Sequence, residues 1–243
     1  MGSSKTPSTG DLFVAAIARN IADGDYVHLG AAQPHLWRAV QLARALWAPR
    51  VRVAVAGHFI LDPATAPPAD LTYEPAAMAS RQATMNQSVI FDDLRRIRVT
   101  FAGCMQVDRY GNGNIAEVRT ASGRVVYGPG YAGLPTLTTH SEKFFLLVAD
   151  HSKRRLVEKV DRISVLGNSL QRDRLGLPNG LRLVITPLAS FTLVDGVLRV
   201  QEVSPGADEA GLQENTGFPI EFTADARERP GLSAEERTAL SAL

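Results

Sequence analysis

The sequence predicts an α/β protein: a single open mixed sheet, largely parallel, flanked by helices. Three observations carry this. A strand, a helix and a second strand follow one another between Tyr26 and Val55, at the spacing of a βαβ unit. At least seven further short runs rich in Val, Leu and Phe lie between Arg98 and Glu202. Glycines gather where some of those runs end.

Each element has a local reason. Asp11 to Ala22 places Leu12, Ala15, Ile17, Ala18 and Ile21 at helical spacing, and Asp23-Gly24 ends the helix. Tyr26 to Leu29 reads as a strand. A loop through Gly30 and Pro34 leads to a helix over Leu36 to Trp47, which stops before Pro49. Val51 to Val55 is valine-rich, as a buried parallel strand should be. Asp62 to Asn86 mixes Pro63, Pro67, Pro68 and Pro75 with scattered alanines and no period, an excursion over the surface. Strands are expected at Arg98 to Phe101, Phe144 to Ala149, Arg155 to Val160, Arg162 to Leu166, Leu181 to Thr186, Ser190 to Val194 and Val197 to Glu202. Val194-Asp195-Gly196-Val197 carries the Asp-Gly signal of a two-residue hairpin. Trp37 and Trp47, ten positions apart on one helix, are rotated by roughly 80° from each other and face either the core or another subunit.

Composition bounds the rest. With 243 residues, 45% of them hydrophobic and 21% charged, the chain supports one large core, assigned to residues 11–223. Residues 1–10 and 224–243 are polar or charged and are expected as tails, loose or in contact with a partner. A net charge of +1 gives no footprint for nucleic acid or an acidic membrane. No run of about eighteen apolar residues and no signal peptide appears, and the lone Cys104 fits a reducing cytoplasm. The five histidines, His28, His35, His58, His140 and His151, lack metal-ligand spacing, so no metal site is expected.

The richest stretch is Phe101 to Ala116, FAGCMQVDRYGNGNIA, with YGPGYA at Tyr127 to Ala132. Five glycines, at 103, 111, 113, 128 and 130, each give up extra backbone entropy on folding. Backbone must therefore approach something closely there, and a ligand is the expected neighbour. Gly128, Gly130 and Gly133 also meet the bare G-x-G-x-x-G spacing, but Leu134 to Thr139 is a poor helix former, so a dinucleotide loop is not expected.

Gly103 to Asn114 resembles the G-G-A-Q-V-D-R-x-G-N-x-N segment of the B subunits of class I coenzyme A transferases, the glutaconate CoA-transferase family, with Cys104 and Met105 in place of a glycine and an alanine. Gly30 to Pro34 with Ala39, Leu42, Ala43, Ala48 and Pro49 is similar to the family's G-x-x-x-P, helix and A-P sequence. Gly128-Pro129-Gly130 is similar to its G-P-G-G turn. His151 to Arg154 with Val157 to Asp161 resembles its H-x-K-R-x-F-V-E-x-V-D block. The resemblance covers residues 10 to 220. It implies the fold of a class I CoA-transferase subunit and a partner A subunit, in a heterodimer or heterotetramer with the active site between the two.

The resemblance also implies chemistry. Family transferases attack the thioester with a glutamate at the end of the strand matching Val51 to Val55. Here Val55-Ala56-Gly57-His58 stands there, and positions 54 to 58 hold no carboxylate. Two branches dispense with that glutamate. One hydrolyses a carbon-carbon bond during steroid ring degradation. The other decarboxylates 3-methylglutaconyl-CoA to 3,3-dimethylacrylyl-CoA on a route to isovaleryl-CoA, and carries a cysteine at the strand end. VAVAGHF followed by a proline-rich stretch resembles the decarboxylase, with Ala56 at the cysteine position, either a replaced cysteine or a natural alanine. Val55, Ala56, Gly57 and His58 are then the candidate catalytic turn. Gly30, Gly103, Cys104, Gln106, Gly128, Gly130, Tyr131 and Ala132 are the candidate substrate and CoA contacts, with amides near Gly130 to Ala132 and near Gly103 and Cys104 as oxyanion donors. No cofactor beyond the CoA of the substrate is implied. Alternatives are a CoA-dependent hydrolase, a transferase whose nucleophile the partner supplies, and a non-catalytic subunit that completes the partner's site.

Several of these residues have structural roles open beside the functional one. Gln106 either orients the thioester or satisfies buried backbone, Asp108 and Arg109 pair locally, Asn112 and Asn114 shape the turn, and Cys104 fills the core. Arg50, Arg52, Lys153 and Arg154 are either phosphate partners or solvated surface charges.

Overall fold

The computed structural model describes residues 8–30, 33–55, 60–62, 83–84, 97–131, 133–167, 169–178 and 180–243. The chain opens on helix α1 (Thr9–Ala18), whose first amides are capped by the Ser8 hydroxyl, accepting from the Asp11 N–H. Strand β1 (Tyr26–Leu29), helix α2 (Pro34–Leu46) and strand β2 (Arg52–Val55) complete the βαβ unit. Pro34 sits in the first turn of α2, where its missing N–H is harmless.

Short strands β3 (Ile60–Leu61) and β4 (Ala83–Thr84) follow, the latter within the excursion expected from Asp62 to Asn86. Then come β5 (Val99–Gly103), β6 (Gln106–Asp108), β7 (Gly113–Asn114), β8 (Glu117–Arg119), β9 (Val125–Tyr127), helix α3 (Leu134–His140), β10 (Lys143–Leu147) and β11 (Leu156–Val157). The chain closes through helix α4 (Ser169–Arg174), β12 (Leu181–Ile185), β13 (Ala189–Val194), β14 (Val197–Val203), helix α5 (Glu209–Asn215), β15 (Phe222–Glu228) and helix α6 (Ala234–Ser241).

The main sheet is mixed, in the order β15-β14-β13-β12-β10-β5-β1-β2-β3-β4. Its centre, β2-β1-β5-β10-β12, is parallel throughout. Both flanks contain antiparallel pairs. Asp195 and Gly196 form the hairpin between β13 and β14 with φ of 52° and 79°, the left-handed pair a two-residue turn requires.

Alternation along the central strands divides the core in two. Val27, Leu29, Val53, Val55, Val99 and Phe101 meet α1 and α2 on one face, where Phe101 stacks on Phe145 at 4.6 Å. On the other face, Ala102, Leu146, Val184, Phe191 and Val200 join Val107, Leu156 and Val165 in a second cluster. Trp37 is buried in the first core. Trp47 stays partly exposed and donates its indole N–H to the Ile21 carbonyl at 3.0 Å, so it ties the end of α2 to the segment after α1.

Three expectations are corrected. The stretch from Ala224 is no tail: β15 pairs with β14, α6 packs on α2, and Leu232 and Leu240 enter the first core. Its charges misled because they are spent internally. Arg229, only 2% exposed, donates to the Thr186 carbonyl and the Ser190 and Ser204 hydroxyls, while Arg19 grips Glu236 and the carbonyls of Pro230 and Gly231. The strand expected at Arg155 to Val160 shrinks to Leu156–Val157. That at Arg162 to Leu166 is only a bridge between Val165 and Gly113, because Asp161 and Ser164 use their side chains to take the amides of Arg119 and Ile115.

Candidate functional site

Parallel register places the carboxyl ends of β2, β1, β5 and β10 side by side, with Val55 opposite Leu29 and Gly103 opposite Leu147. From β1 the chain goes to β2 on one side and later to β5 on the other, so the connection reverses between β1 and β5. Such a switch point leaves a crevice beyond the strand ends, where open α/β sheets bind ligands.

A cavity of about 370 Å³ occupies this crevice. It is walled by Phe13, Pro34, Leu36, Met105, Ile115 and Pro129, with Gln33, His35, Gly103, Cys104, Leu147, Ala149 and Arg155 completing it. Gln33 bridges the switch point: its side-chain oxygen accepts from the Gly30 N–H at 3.2 Å and its amide donates to the Phe101 carbonyl at 3.4 Å. A β-carbon on Gly103 would come within 3.0 Å of that amide nitrogen, so the glycine makes room for Gln33. His35 meets Phe13 edge-on at 5.3 Å; burial first, and then the charge of Arg38, lower its pKa, so the ring is neutral at pH 7.

The structure sorts the sequence-derived candidates. Val55 is fully buried at the strand end; Ala56, Gly57, His58 and Ala132 lie outside the described residues. Gly103 and Cys104 line the cavity, and Gly30 adjoins it through its hydrogen bond to Gln33. The Cys104 thiol is buried against Gly113, and desolvation pushes its pKa up to about 12, which leaves it an inert filler rather than a nucleophile. Its amide donates to the Leu147 carbonyl and that of Met105 to the Asn114 carbonyl, so neither is free as an oxyanion donor.

Gln106 is corrected to a structural role. It is buried and turned away from the cavity: its oxygen accepts from Asn114 and from the Asp161 N–H, and its amide donates to Asp161. Asp108 similarly accepts from the Tyr110 and Asn112 amides and holds the turn. Arg109 pairs with Glu158 rather than with Asp108.

The two glycine clusters also part. In the first, the close neighbours are the protein's own atoms: a β-carbon on Gly113 would lie 2.8 Å from the Cys104 sulfur, and one on Gly111 2.8 Å from Leu181. In the second, a β-carbon on Gly128 would collide with the Ile115 carbonyl. Gly130 differs, with φ of +78° and open space about it. The N–H groups of Gly130 and Tyr131 make no hydrogen bond among the described residues, and Tyr131 is half exposed. Pro129 between these glycines lines the cavity, so this turn is its rim.

A helix does open at Leu134, contrary to the sequence expectation. Burial of Leu134, Leu137 and Thr138 overrides poor propensity, and Thr138 and Ser141 return hydroxyl bonds to carbonyls four residues back. The strand before it, β9, pairs among the described residues only with β8, outside the parallel sheet, so that glycine motif does not open a dinucleotide-binding unit.

Sequence reading missed Gln33, His35 and Arg155. The first two flank Pro34 in the loop already singled out, which was the available signal. Arg155 follows three motif residues and carried none.

The chain aligns over 97% of its length with the B subunit of the 3-oxoadipate CoA-transferase of Pseudomonas knackmussii, at 29% identity and covering 93% of that protein. Among solved structures, the decarboxylase AibA/AibB superimposes with a TM-score of 0.81 at 26% identity, over 97% of this chain and 94% of that one. The chain thus resembles the B subunits of class I coenzyme A transferases in sequence and in fold. Glutaconate coenzyme A-transferase from Acidaminococcus fermentans has the same fold, with a TM-score of 0.79 at 20% identity over 96% and 93% of the two chains. No family model matches the chain. AibA/AibB has also been solved with one cysteine replaced by alanine, and that variant matches at the same 26% identity. This chain thus differs from that decarboxylase along its whole length, and Ala56 is not a single substitution within it. No helix among the described residues is long and apolar enough to cross a membrane.

Proposed function

We propose that the chain is the B component of a two-subunit enzyme acting on an acyl-CoA thioester, and that the reaction is decarboxylation of a glutaconyl-type thioester, with 3-methylglutaconyl-CoA giving 3,3-dimethylacrylyl-CoA. The observation that carries the reading is a B-subunit fold superimposing on AibA/AibB over 97% of its length, joined to a strand end without a carboxylate between positions 54 and 58.

In this reaction the bond between the γ-carbon and the carboxylate breaks. CO2 leaves, the electron pair spreads through the alkene to the thioester oxygen, and a proton from water is taken up at the γ-carbon. No oxidant is consumed. The chain's part is to receive charge at that oxygen and to exclude water around the acyl group. The amides of Gly130 and Tyr131 at the rim, without a partner among the described residues, suit the first task, at about 3 kcal/mol per well-aimed donor. The apolar walls suit the second. The reaction as proposed calls for no metal or organic cofactor beyond CoA itself.

A second reading rests on the 29% identity to a transferase B subunit: CoA transfer with the nucleophile on the partner. The test is mass spectrometry of products from 3-methylglutaconyl-CoA, using the chain co-expressed with its A-type partner. Dimethylacrylyl-CoA with release of CO2 supports decarboxylation. Intact thioester without an acceptor, and exchange when a free carboxylic acid is added, supports transfer instead.

A further inference from the structure

Among the described residues that line the cavity, one is charged. Arg155 reaches it from the segment after β10, and no carboxylate shares the wall. His35, the other titratable base there, is neutral.

Arg155 is only partly engaged. Its Nη1 donates to the Cys104 carbonyl at 3.4 Å, and its Nε lies 3.5 Å from an Asp150 oxygen that already accepts from Ser152 and Arg154. A guanidinium carries five N–H donors, so the Nη2 pair and one Nη1 hydrogen have no partner among the described residues. The bond to the Cys104 carbonyl fixes the fork against the mouth of the glycine strand end, and the side chain is 37% exposed. Positioned donors with spare valence, facing an otherwise uncharged apolar hollow, select an anion of planar shape.

We propose that Arg155 is a specificity-determining residue that binds the free carboxylate at the far end of the acyl chain, so that the site takes thioesters of dicarboxylic acids in preference to those of monocarboxylic acids. The cavity argues for an acyl group over the nucleotide end of CoA. At about 370 Å³ it lies near the lower limit of ligand pockets, and its walls are apolar except at Arg155 and a few polar neighbours. Phosphates are better placed outside such walls. The inference rests on the acyl-CoA reading above and refines it. In a decarboxylation the contact belongs to the ground state and weakens as CO2 departs, so removing Arg155 raises KM and does not lower kcat.

The test is titration calorimetry on the chain in complex with its A-type partner, with glutaryl-CoA and pentanoyl-CoA as probes. They have equal chain length and differ in a terminal carboxylate against a methyl. Glutaryl-CoA is saturated and so binds without losing CO2. The native complex is expected to favour glutaryl-CoA about tenfold, which is about 1.4 kcal/mol. Arg155→Gln is expected to bring that ratio to about one with pentanoyl-CoA affinity unchanged, and Arg155→Lys to restore part of it. A ratio that survives Arg155→Gln overturns the proposal. So does an equal loss for both thioesters and for free CoA, which would place a phosphate on Arg155. Native complex that binds neither thioester nor CoA would sink the acyl-CoA reading itself.

Discussion

Two glycine-rich turns look alike in sequence and differ in what they hold. In the turn through Gly111 and Gly113, side chains answer one another: Gln106 with Asn114 and Asp161, Asp108 with Asn112, and Cys104 packed on Gly113. In the turn through Gly128 and Gly130, the chain closes against Ile115 and then leaves two amides without a partner among the described residues. A glycine cluster therefore records close approach without saying what approaches. Only the turn with unspent donors is in a position to receive a ligand.

The sharpest way to test this contrast is to remove Asn114. Its amide donates to the Gln106 oxygen and the Glu117 carbonyl and its oxygen accepts from the Ala116 N–H, so Asn114→Ala removes three hydrogen bonds in and around the buried turn. We expect a loss of about 3 kcal/mol in urea unfolding. A loss under about 1 kcal/mol would mean that this turn is as open as the other.

Acid probes the satisfied interior next. Burial lowers the pKa of His151, held between the Thr186 and Thr216 hydroxyls, and of His28, unpartnered among the described residues, to about 4. The unfolded chain takes up these protons below about pH 6.5, whereas the folded one does so only near 4. Stability is therefore full above about 6.5, falls as the pH drops below it, and levels off near 4. Each ring should withdraw about 2 kcal/mol by about pH 5. His28→Leu should keep only the His151 share, as read from urea midpoints at about pH 7 and pH 5.

The rim should respond more mildly to change. Gly130→Ala has room for the methyl but must hold φ near +78°, a strain of about 1 kcal/mol in thermal unfolding. On our reading its effect on thioester turnover should exceed its effect on stability. Equal small effects on both would remove the turn from the site. Last, the Cys104 thiol, its pKa pushed up to about 12, should resist iodoacetamide at about pH 8 in the folded chain and react once urea unfolds it, as followed by intact mass. Rapid labelling of the folded form would mean that the first turn opens.

Much of the fold was legible because periodicity and punctuation agree. The βαβ unit at Tyr26 to Val55, the Asp195-Gly196 hairpin and the valine-rich centre follow from local rules that tertiary contacts did not overrule. Where long-range partners decide, the reading failed. Arg229 looks like a surface charge until the hydroxyls of Ser190 and Ser204 are brought to it from 39 and 25 positions away. Helix α3 has poor formers that burial rescues. Gly103 and Pro129 stood out in the sequence and line the cavity, since strand ends and turns are local features. Gln106, a candidate contact, turns inward to Asp161, whereas Arg155, which no motif singled out, lines the hollow, because the direction of a side chain is set by register that sequence does not display.

The C-terminal clasp has a consequence for how the molecule is made. Arg19 finds Glu236 only when the last helix exists, and Leu232 and Leu240 complete a core begun by the first helix. The first core is therefore incompletely covered until residues 232–240 dock on it. Its completion waits on a contact 217 positions away in sequence, and a change to helix α6 is felt at helix α1.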